Sequence, residues 1–209
     1  MGLWERAWAA GFEFLGGRMS KIEEPNRRRL VEDARGEVLE VGAGTGFNFP
    51  YYRQATRVVA LEPDEAMRRR ARERAPRAAV PVEVLSGFAE PLPFPDGSFD
   101  TVVFSLVLCS IPHPGRALAE AKRVLRPGGE IRFYEHVRSP DRATARWQDR
   151  IEKPWSVLGR GCHPNRDTLA TIEAAGLRFA ELLRFDLPGA PKIIRAHVLG
   201  TAIAAEEGM

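Results

Sequence analysis

A glycine-rich loop between a predicted strand and a predicted helix is the first feature of this sequence with clear chemical meaning. The segment Val38–Asn48 reads VLEVGAGTGFN and contains three glycines at alternate positions. Glycine permits a sharp turn and lets a ligand approach the backbone more closely than a residue with a side chain would allow. A tight strand-to-helix turn uses the same glycines, so the loop marks a ligand site only if other residues agree.

Two acidic residues near the loop indicate what it would hold. Glu40 precedes the first glycine, and Glu62 follows the second predicted strand, at the end where open α/β sheets bind ligands. An acid there can accept hydrogen bonds from both hydroxyls of a ribose, although a surface carboxylate is the alternative. A dinucleotide fingerprint would need glycine at position 47, where this chain has Phe47, and Glu40 would repel a pyrophosphate. The pattern favours a nucleoside that carries positive charge.

Three residues near strand ends are candidates for a general base. His113 follows the fourth predicted strand, while Tyr134 and His136 lie near the end of the fifth. The alternatives are a loop residue that shapes a turn for His113 and a core histidine for His136.

The two cysteines form no recognisable motif. Cys109 and Cys162 are 53 positions apart, which matches neither a redox pair nor a zinc-ligand spacing. Cys109 follows an apolar run and is interpreted as a buried, inert thiol. His163 comes directly after Cys162, but no further ligands are near in sequence, so we expect no metal site.

Short β-branched segments alternate with helical patterns, which predicts a doubly wound α/β fold with a mostly parallel sheet. The seven predicted strands are Glu37–Val41, Thr56–Glu62, Val82–Ser86, Phe99–Ser105, Glu130–Val137, Leu177–Phe185 and Lys192–Leu199. The predicted helices between them are Gly46–Gln54, Asp64–Ala75, Gly115–Leu125 and Arg166–Ala175. The turn Leu187–Pro191 is too short for a crossover helix, so the last two strands should form an antiparallel hairpin.

Length and composition fit one domain: the chain has 209 residues, of which 44% are hydrophobic and 28% charged. We expect residues 1–34 to form an N-terminal helical lid and residues 140–165 an inserted helical cap. No apolar run reaches the roughly 18 residues of a membrane span, and the N-terminus lacks a signal-peptide pattern, so a cytoplasmic location is expected. Arginine runs such as those at 27–29 and 68–70 lie among acids in helical patterns, which predicts a solvated helix face and argues against a nucleic-acid partner.

Aromatic residues in the two flanking segments are candidates for substrate contact. Trp4, Trp8 and Phe12 share one helical face, and an aromatic lid of this kind predicts an apolar substrate. The alternatives are simple packing on the body and peripheral contact with a membrane surface. The candidate substrate residues are Trp4, Trp8, Phe12, Trp147, Trp155 and His163.

Two groups of ordered motifs resemble known families. The first group is LEVGAGTG at 39–46, LEPD at 61–64, GFAEPLPFPDGSFD at 87–100 and RVLRPGG at 123–129. It resembles the class I S-adenosylmethionine-dependent methyltransferases, especially the ubiquinone and menaquinone C-methyltransferases. The second group is SLVLCSI at 105–111, YEHV at 134–137, GCH at 161–163 and IRAHVLG at 194–200. It is similar to the methyltransferase-like enzymes that methylate alkyl thiols.

The resemblance implies a Rossmann-like fold, S-adenosylmethionine as cofactor and a binding site distributed over the strand ends. The glycine loop would hold the methionine part, Glu62 the ribose, and Ser105 with its two successors would lie beneath the sulfonium. The implied cofactor-binding residues are Glu40, Gly42, Ala43, Gly44, Thr45, Gly46, Asn48, Glu62, Pro63, Met67, Gly87, Phe88, Ala89, Glu90, Ser105, Leu106 and Val107. Many relatives have aspartate where Phe88 stands. Phe88 cannot accept from the adenine amino group, so a backbone carbonyl or Glu90 would have to do so.

The methyl acceptor is left open by these motifs. A thiol with a free pKa near roughly 8.5 needs little help from a base, whereas an enolate or phenol needs an aligned one. We expect a small apolar acceptor, with a thiol as one choice and a quinone-like ring or a lipid as the alternative. A protein that binds S-adenosylmethionine without catalysis and a nicotinamide oxidoreductase are the alternatives from other classes. The oligomeric state is also open.

Overall fold

The structure is a computed structural model that describes residues 21–205, in which a seven-stranded sheet carries helices on both faces. The strands are β1 (Gly36–Val41), β2 (Ala55–Leu61), β3 (Val82–Leu85), β4 (Phe99–Ser105), β5 (Leu125–His136), β6 (Leu177–Asp186) and β7 (Ala196–Ala204). The α-helices are α1 (21–31), α2 (Glu65–Arg74), α3 (Pro114–Val124), α4 (Arg142–Leu158) and α5 (Thr168–Ala174). Three short 3-10 turns cover Phe49–Tyr51, Ala75–Arg77 and Lys192–Ile194.

The strand order is β3-β2-β1-β4-β5-β7-β6. The first five of these strands pair in parallel, whereas β7 pairs antiparallel with both β5 and β6. This arrangement confirms the predicted doubly wound fold with its antiparallel C-terminal pair. The order of strands along the chain reverses between β1 and β4, and such a switch point is where open sheets bind ligands at the carboxyl ends of their strands.

The two faces of the sheet form two separate cores. Alternate residues such as Val38, Val103 and Tyr134 pack with α1 and α2, while their neighbours, including Phe104 and Phe133, pack with α3 and α5. Successive side chains of a strand point to opposite faces. Glu40, Ser105 and His136 therefore point to the α1 face at the carboxyl ends of their strands, which gathers polar groups at one place.

Two predicted elements are wrong. Instead of a helix over Gly46–Gln54, the chain makes turns and the 3-10 segment Phe49–Tyr51, because Gly46 has a φ of +79° and Pro50 lacks an amide proton. The last strand occupies Ala196–Ala204 instead of Lys192–Leu199. The reason is its antiparallel pairing with β5, which runs from the His136–His197 pair to the Glu130–Ile203 pair. Lys192–Ile194 forms a 3-10 turn in its place.

The N-terminal aromatic face lies outside the described residues, so Trp4, Trp8 and Phe12 stay predictions. Within 21–205, none of the helices has both the length and the apolar composition that crossing a bilayer requires.

Candidate active site

The three glycines of the loop after β1 have distinct physical roles. All three adopt positive φ, at +69°, +57° and +79° for Gly42, Gly44 and Gly46. A Cβ atom at Gly42 would lie 2.3 Å from Val107 Cγ2, and one at Gly46 would lie 2.4 Å from the Phe49 ring. A Cβ at Gly44 would meet nothing within 4 Å. The outer two glycines are therefore required by packing, while the middle one faces open space that a ligand can enter.

Glu62 lies directly after β2 and faces this loop. Its side chain is almost fully buried, and its two oxygens accept hydrogen bonds from the amides of Gly44 and Asp64, each at 2.9 Å. Burial raises the pKa of Glu62, and the two amides oppose that rise. Each carboxylate oxygen keeps a second lone pair, so this oriented group can still accept from a pair of ligand hydroxyls.

Glu40 forms a second acidic position, near the carboxyl end of β1. Its carboxylate is 1% exposed and accepts hydrogen bonds from Asn48 Nδ2 at 2.8 Å and from the Tyr52 hydroxyl at 2.9 Å. Burial raises the pKa of Glu40 to about 7, against the lowering effect of the Tyr52 and Asn48 hydrogen bonds and of Arg27. A buried carboxylate of this kind is well suited to a ligand that brings its own positive charge.

Arg27 of α1 lies at this site, although the arginine run at 27–29 was predicted to form a solvated helix face. The guanidinium donates to Glu23 at 2.6 Å, to Asn48 Oδ1 at 3.0 Å and to Ser105 Oγ at 3.2 Å. Arg27 is 9% exposed, unlike the exposed Arg28 that follows it. The signal in the sequence was the spacing of Glu23, Arg27 and Leu30, which lie on one face of α1.

The turn after β4 is held by Glu135, a second residue that sequence reasoning missed. Leu106 has a φ of +55°, which is strained for a non-glycine residue. Glu135 is fully buried and accepts from the amides of Val107 and Leu108, both at 2.9 Å, and from that of Cys109 at 3.4 Å. This anchoring places Val107 against Gly42, so the structure brings the predicted 105–107 segment beside the glycine loop.

The predicted adenine wall lies at the ends of β2 and β3. Phe88 is 69% exposed, Pro63 is exposed, and Gly87, Ala89, Glu90 and Met67 are partly buried. An exposed ring on the surface of a folded domain is available for stacking on a planar ligand. Thr45, in contrast, contacts a protein side chain: its carbonyl accepts a hydrogen bond from Arg74 at 2.6 Å. The Arg74 guanidinium also lies 4.3 Å from the centroid of the Phe47 ring.

The three predicted bases are not equivalent. His113 is exposed and precedes α3, on the far face of the sheet from Arg27. Tyr134 is buried, with its ring centroid 5.3 Å from that of His197, and burial raises its pKa. His136 is 6% exposed, and its Nε2 lies 3.1 Å from Cys162 Sγ. The two residues on the α1 face are therefore buried or already engaged.

The segment that contains α4 crosses the carboxyl edge of the sheet. Arg160 donates to Asp64 at 2.9 Å, and the His163 amide donates to the Cys109 carbonyl at 2.9 Å, so the loop after α4 bridges the ends of β2 and β4. Trp155 is partly buried and donates to Cys162 Sγ at 3.4 Å, while His163 Nδ1 lies 2.6 Å from Glu152. Trp147 is 45% exposed on α4. Of the predicted cap residues, Trp155 and His163 are the ones in this bridging region.

Cys109, His136 and Cys162 also meet in space, with one ligand atom from each within 4.8 Å of the others. Although the two cysteines are 53 positions apart along the chain, strand order brings the ends of β4 and β5 together and the loop after α4 returns to them.

Comparison with known proteins agrees with this geometry. Residues 39–133 match the family described as "Methyltransferase domain". The human thiol S-methyltransferase TMT1B is 31% identical over 97% of this chain and 90% of its own length. A ubiquinone/menaquinone biosynthesis C-methyltransferase of Methylobacterium nodulans is 42% identical over 73% of this chain and 61% of its own length. The solved SAM-dependent methyltransferase of Thermotoga maritima superposes with a TM-score of 0.67 at 22% identity, covering 94% of each chain.

The glycine loop, the paired acids at the ends of β1 and β2, and the strand order therefore have a common explanation. The cofactor of this protein is S-adenosylmethionine, as the family and the fold imply. This chain belongs to the class I S-adenosylmethionine-dependent methyltransferases, in the family that includes the thiol S-methyltransferase TMT1B.

Proposed function

We propose that this enzyme transfers the methyl group of S-adenosylmethionine to the sulfur of a small apolar thiol. The observation that carries the proposal is the state of the two predicted bases on the α1 face. Tyr134 is buried with a raised pKa, and His136 Nε2 is engaged with Cys162. A thiol needs little general-base help, whereas a phenol or an enolate depends on an aligned base. Similarity to TMT1B over nearly the whole chain supports the same acceptor class.

The residues at the strand ends fit the cofactor. S-adenosylmethionine supplies an activated methyl group on a positively charged sulfur. The open space over Gly44 would let the cofactor approach the backbone of the loop closely. Glu62 would accept hydrogen bonds from the ribose hydroxyls, and Glu40 would face the ammonium group of the methionine part. Phe88, which is 69% exposed, would stack on the adenine.

The protein's own contribution would be positioning and exclusion of water. Glu135 holds the turn that contains Val107, and Arg27 fixes Asn48 and Ser105 at the adjacent strand ends. Rigid placement of an acceptor opposite the departing sulfur can supply most of the rate acceleration. Residues 140–165 would act as a cap through the Arg160–Asp64 contact, and residues 1–34, which include α1 and Arg27, would act as a lid.

Cofactor binding should depend on pH through Glu40. The carboxylate must be ionised to attract an ammonium group, and burial raises its pKa to about 7. We expect the affinity for S-adenosylmethionine to rise by up to about tenfold per pH unit between pH 5.5 and 7 and to level off above pH 7. Calorimetric titrations across this range measure the effect, and Glu40→Gln should lower the affinity at pH 7.5 and remove most of the slope.

The stability of the same variant gives an independent control. A carboxyl with a raised folded-state pKa favours folding in its protonated form, so ionisation of Glu40 costs stability progressively from pH 4.5 to 7 and fully above pH 7. Glu40→Gln should therefore be at least as stable as the wild type at pH 8. A flat affinity profile in the wild type would remove the assigned role of Glu40.

The acceptor can be tested with a panel of methyl-labelled reactions. Short alkyl thiols, a quinol and phosphatidylethanolamine vesicles are each incubated with labelled S-adenosylmethionine, and methylated products are identified by mass. We expect turnover of the alkyl thiols to exceed that of the other two classes by at least about tenfold, since the thiolate needs no aligned base. Preferential methylation of the quinol or the lipid would overturn the thiol assignment, and binding without any transfer would indicate a cofactor-binding protein.

A further inference from the structure

We propose that Cys109, His136 and Cys162 form a binding site for one zinc ion. One ligand atom from each residue lies within 4.8 Å of the other two, as three ligands around a single metal require. Zinc prefers thiolate and imidazole ligands and takes them in tetrahedral geometry. The proposal concerns a metal site next to the methyl-transfer site and does not depend on which acceptor the enzyme uses.

Three different elements position the ligands. Cys109 lies in the turn after β4, where its amide donates a hydrogen bond to the Glu135 carboxylate at 3.4 Å. His136 is the last residue of β5, and Cys162 lies in the loop between α4 and α5. The amide of His163 donates to the Cys109 carbonyl at 2.9 Å, so the two cysteine segments are joined through their backbones. The site is thus held by the fold and does not require a large rearrangement to close around an ion.

The surroundings favour a bound metal over isolated polar groups. Cys109 is 2% and His136 6% exposed, and His136 Nε2 lies 3.1 Å from Cys162 Sγ, so one ring nitrogen already faces a thiol. Trp155 Nε1 donates to Cys162 Sγ at 3.4 Å, and an N–H donor of this kind stabilises a metal-bound thiolate.

Zinc binding releases one proton from each of the two thiols. As each Zn–S bond forms, Cys109 and Cys162 release a proton to solvent, and neutral His136 supplies the lone pair of one ring nitrogen. No fourth His, Cys, Asp or Glu joins the group in the part of the chain that the structure describes. Three protein ligands plus one exchangeable position is the arrangement of zinc sites that keep a water or an external ligand.

A zinc ion here would connect the methyl-transfer site to the cap. Cys109 shares its turn with Val107, which contacts the glycine loop, and Cys162 shares its loop with Arg160, which reaches Asp64. A disulfide would also join Cys109 to Cys162, but it would leave His136 without a role. The convergence of three ligand atoms, one of them an imidazole nitrogen, favours the metal.

The test uses the full chain, purified with a reductant and without a chelator. We expect elemental mass spectrometry to find about one zinc per chain, either in the protein as purified or after zinc is restored to chelator-treated protein. Cobalt substitution should produce thiolate-to-cobalt charge-transfer absorption together with the visible bands of tetrahedral cobalt. Cys162→Ser and His136→Gln should each weaken zinc binding by more than about 100-fold in competition with a chromophoric chelator. His113→Gln, which changes an exposed histidine outside the cluster, should bind zinc as the wild type does.

The cobalt spectrum of the wild type keeps the test decisive even if a variant fails to fold. Substoichiometric zinc after reconstitution, a cobalt spectrum without thiolate bands, or unchanged affinity in folded variants would overturn the proposal. A Cys109–Cys162 disulfide in protein purified anaerobically would also overturn it. Zinc content is measured without any methyl acceptor, so its outcome is independent of the thiol assignment.

Discussion

Replacing Glu135 by alanine should lower the free energy of unfolding by about 3–5 kcal/mol. The carboxylate is fully buried and accepts hydrogen bonds from three successive amides, two of them at 2.9 Å. Alanine would leave these donors without their acceptor, and each such loss at a buried position costs about 1–3 kcal/mol. Chemical denaturation at constant pH measures the change.

The turn after β4 should also lose its shape in this variant. Leu106 keeps its φ of +55° because the neighbouring amides are held, so releasing them should relax the strained residue. Glu135→Gln retains one acceptor oxygen and should cost less than the alanine variant. Methyl transfer should fall in both variants, because Val107 would no longer be held against Gly42.

Glu130 offers a matched control on the same strand. Its carboxylate is 30% exposed and pairs with Arg132 at 2.6 Å, so Glu130→Ala should change the free energy of unfolding by no more than about 1 kcal/mol. If Glu135→Ala were no more destabilising than Glu130→Ala, the hydrogen bonds from the turn would not be the reason for the buried acid.

Replacing Glu62 by alanine should weaken S-adenosylmethionine binding by about 1–3 kcal/mol, or roughly 5-fold to 150-fold in Kd. The carboxylate is 6% exposed, and the amides of Gly44 and Asp64 hold it in one orientation. A preoriented acceptor needs little ordering when the ribose hydroxyls arrive, so its removal should appear mainly in affinity. Titration calorimetry with S-adenosylmethionine measures the effect.

A control must separate lost ribose contacts from a disturbed loop. Glu83→Ala removes a carboxylate from β3 that is 52% exposed, and its Kd should match the wild type. Glu62→Gln keeps the length of the side chain and one acceptor, so its Kd should lie between those of Glu62→Ala and the wild type. Unchanged affinity in a folded Glu62→Ala protein would contradict the ribose assignment.

Several features of the fold followed from local pattern. The alternation of strands and helices predicted the doubly wound sheet, and the short turn Leu187–Pro191 predicted its antiparallel end; the structure confirms both. These signals are local because backbone conformation and amphipathic periodicity depend on a few neighbouring residues. Where local signals conflicted, as with Gly46 and Pro50 in a predicted helix, the prediction was wrong.

The sequence by itself thus determined the family, the cofactor class and the loop that would hold the cofactor. Only the tertiary structure decided that Arg27 reaches Ser105, that Glu135 holds the turn after β4, and that Cys109, His136 and Cys162 meet. The partners in each of these contacts are 26 to 78 positions apart along the chain. Strand order and helix docking, which no short window of sequence encodes, bring them together.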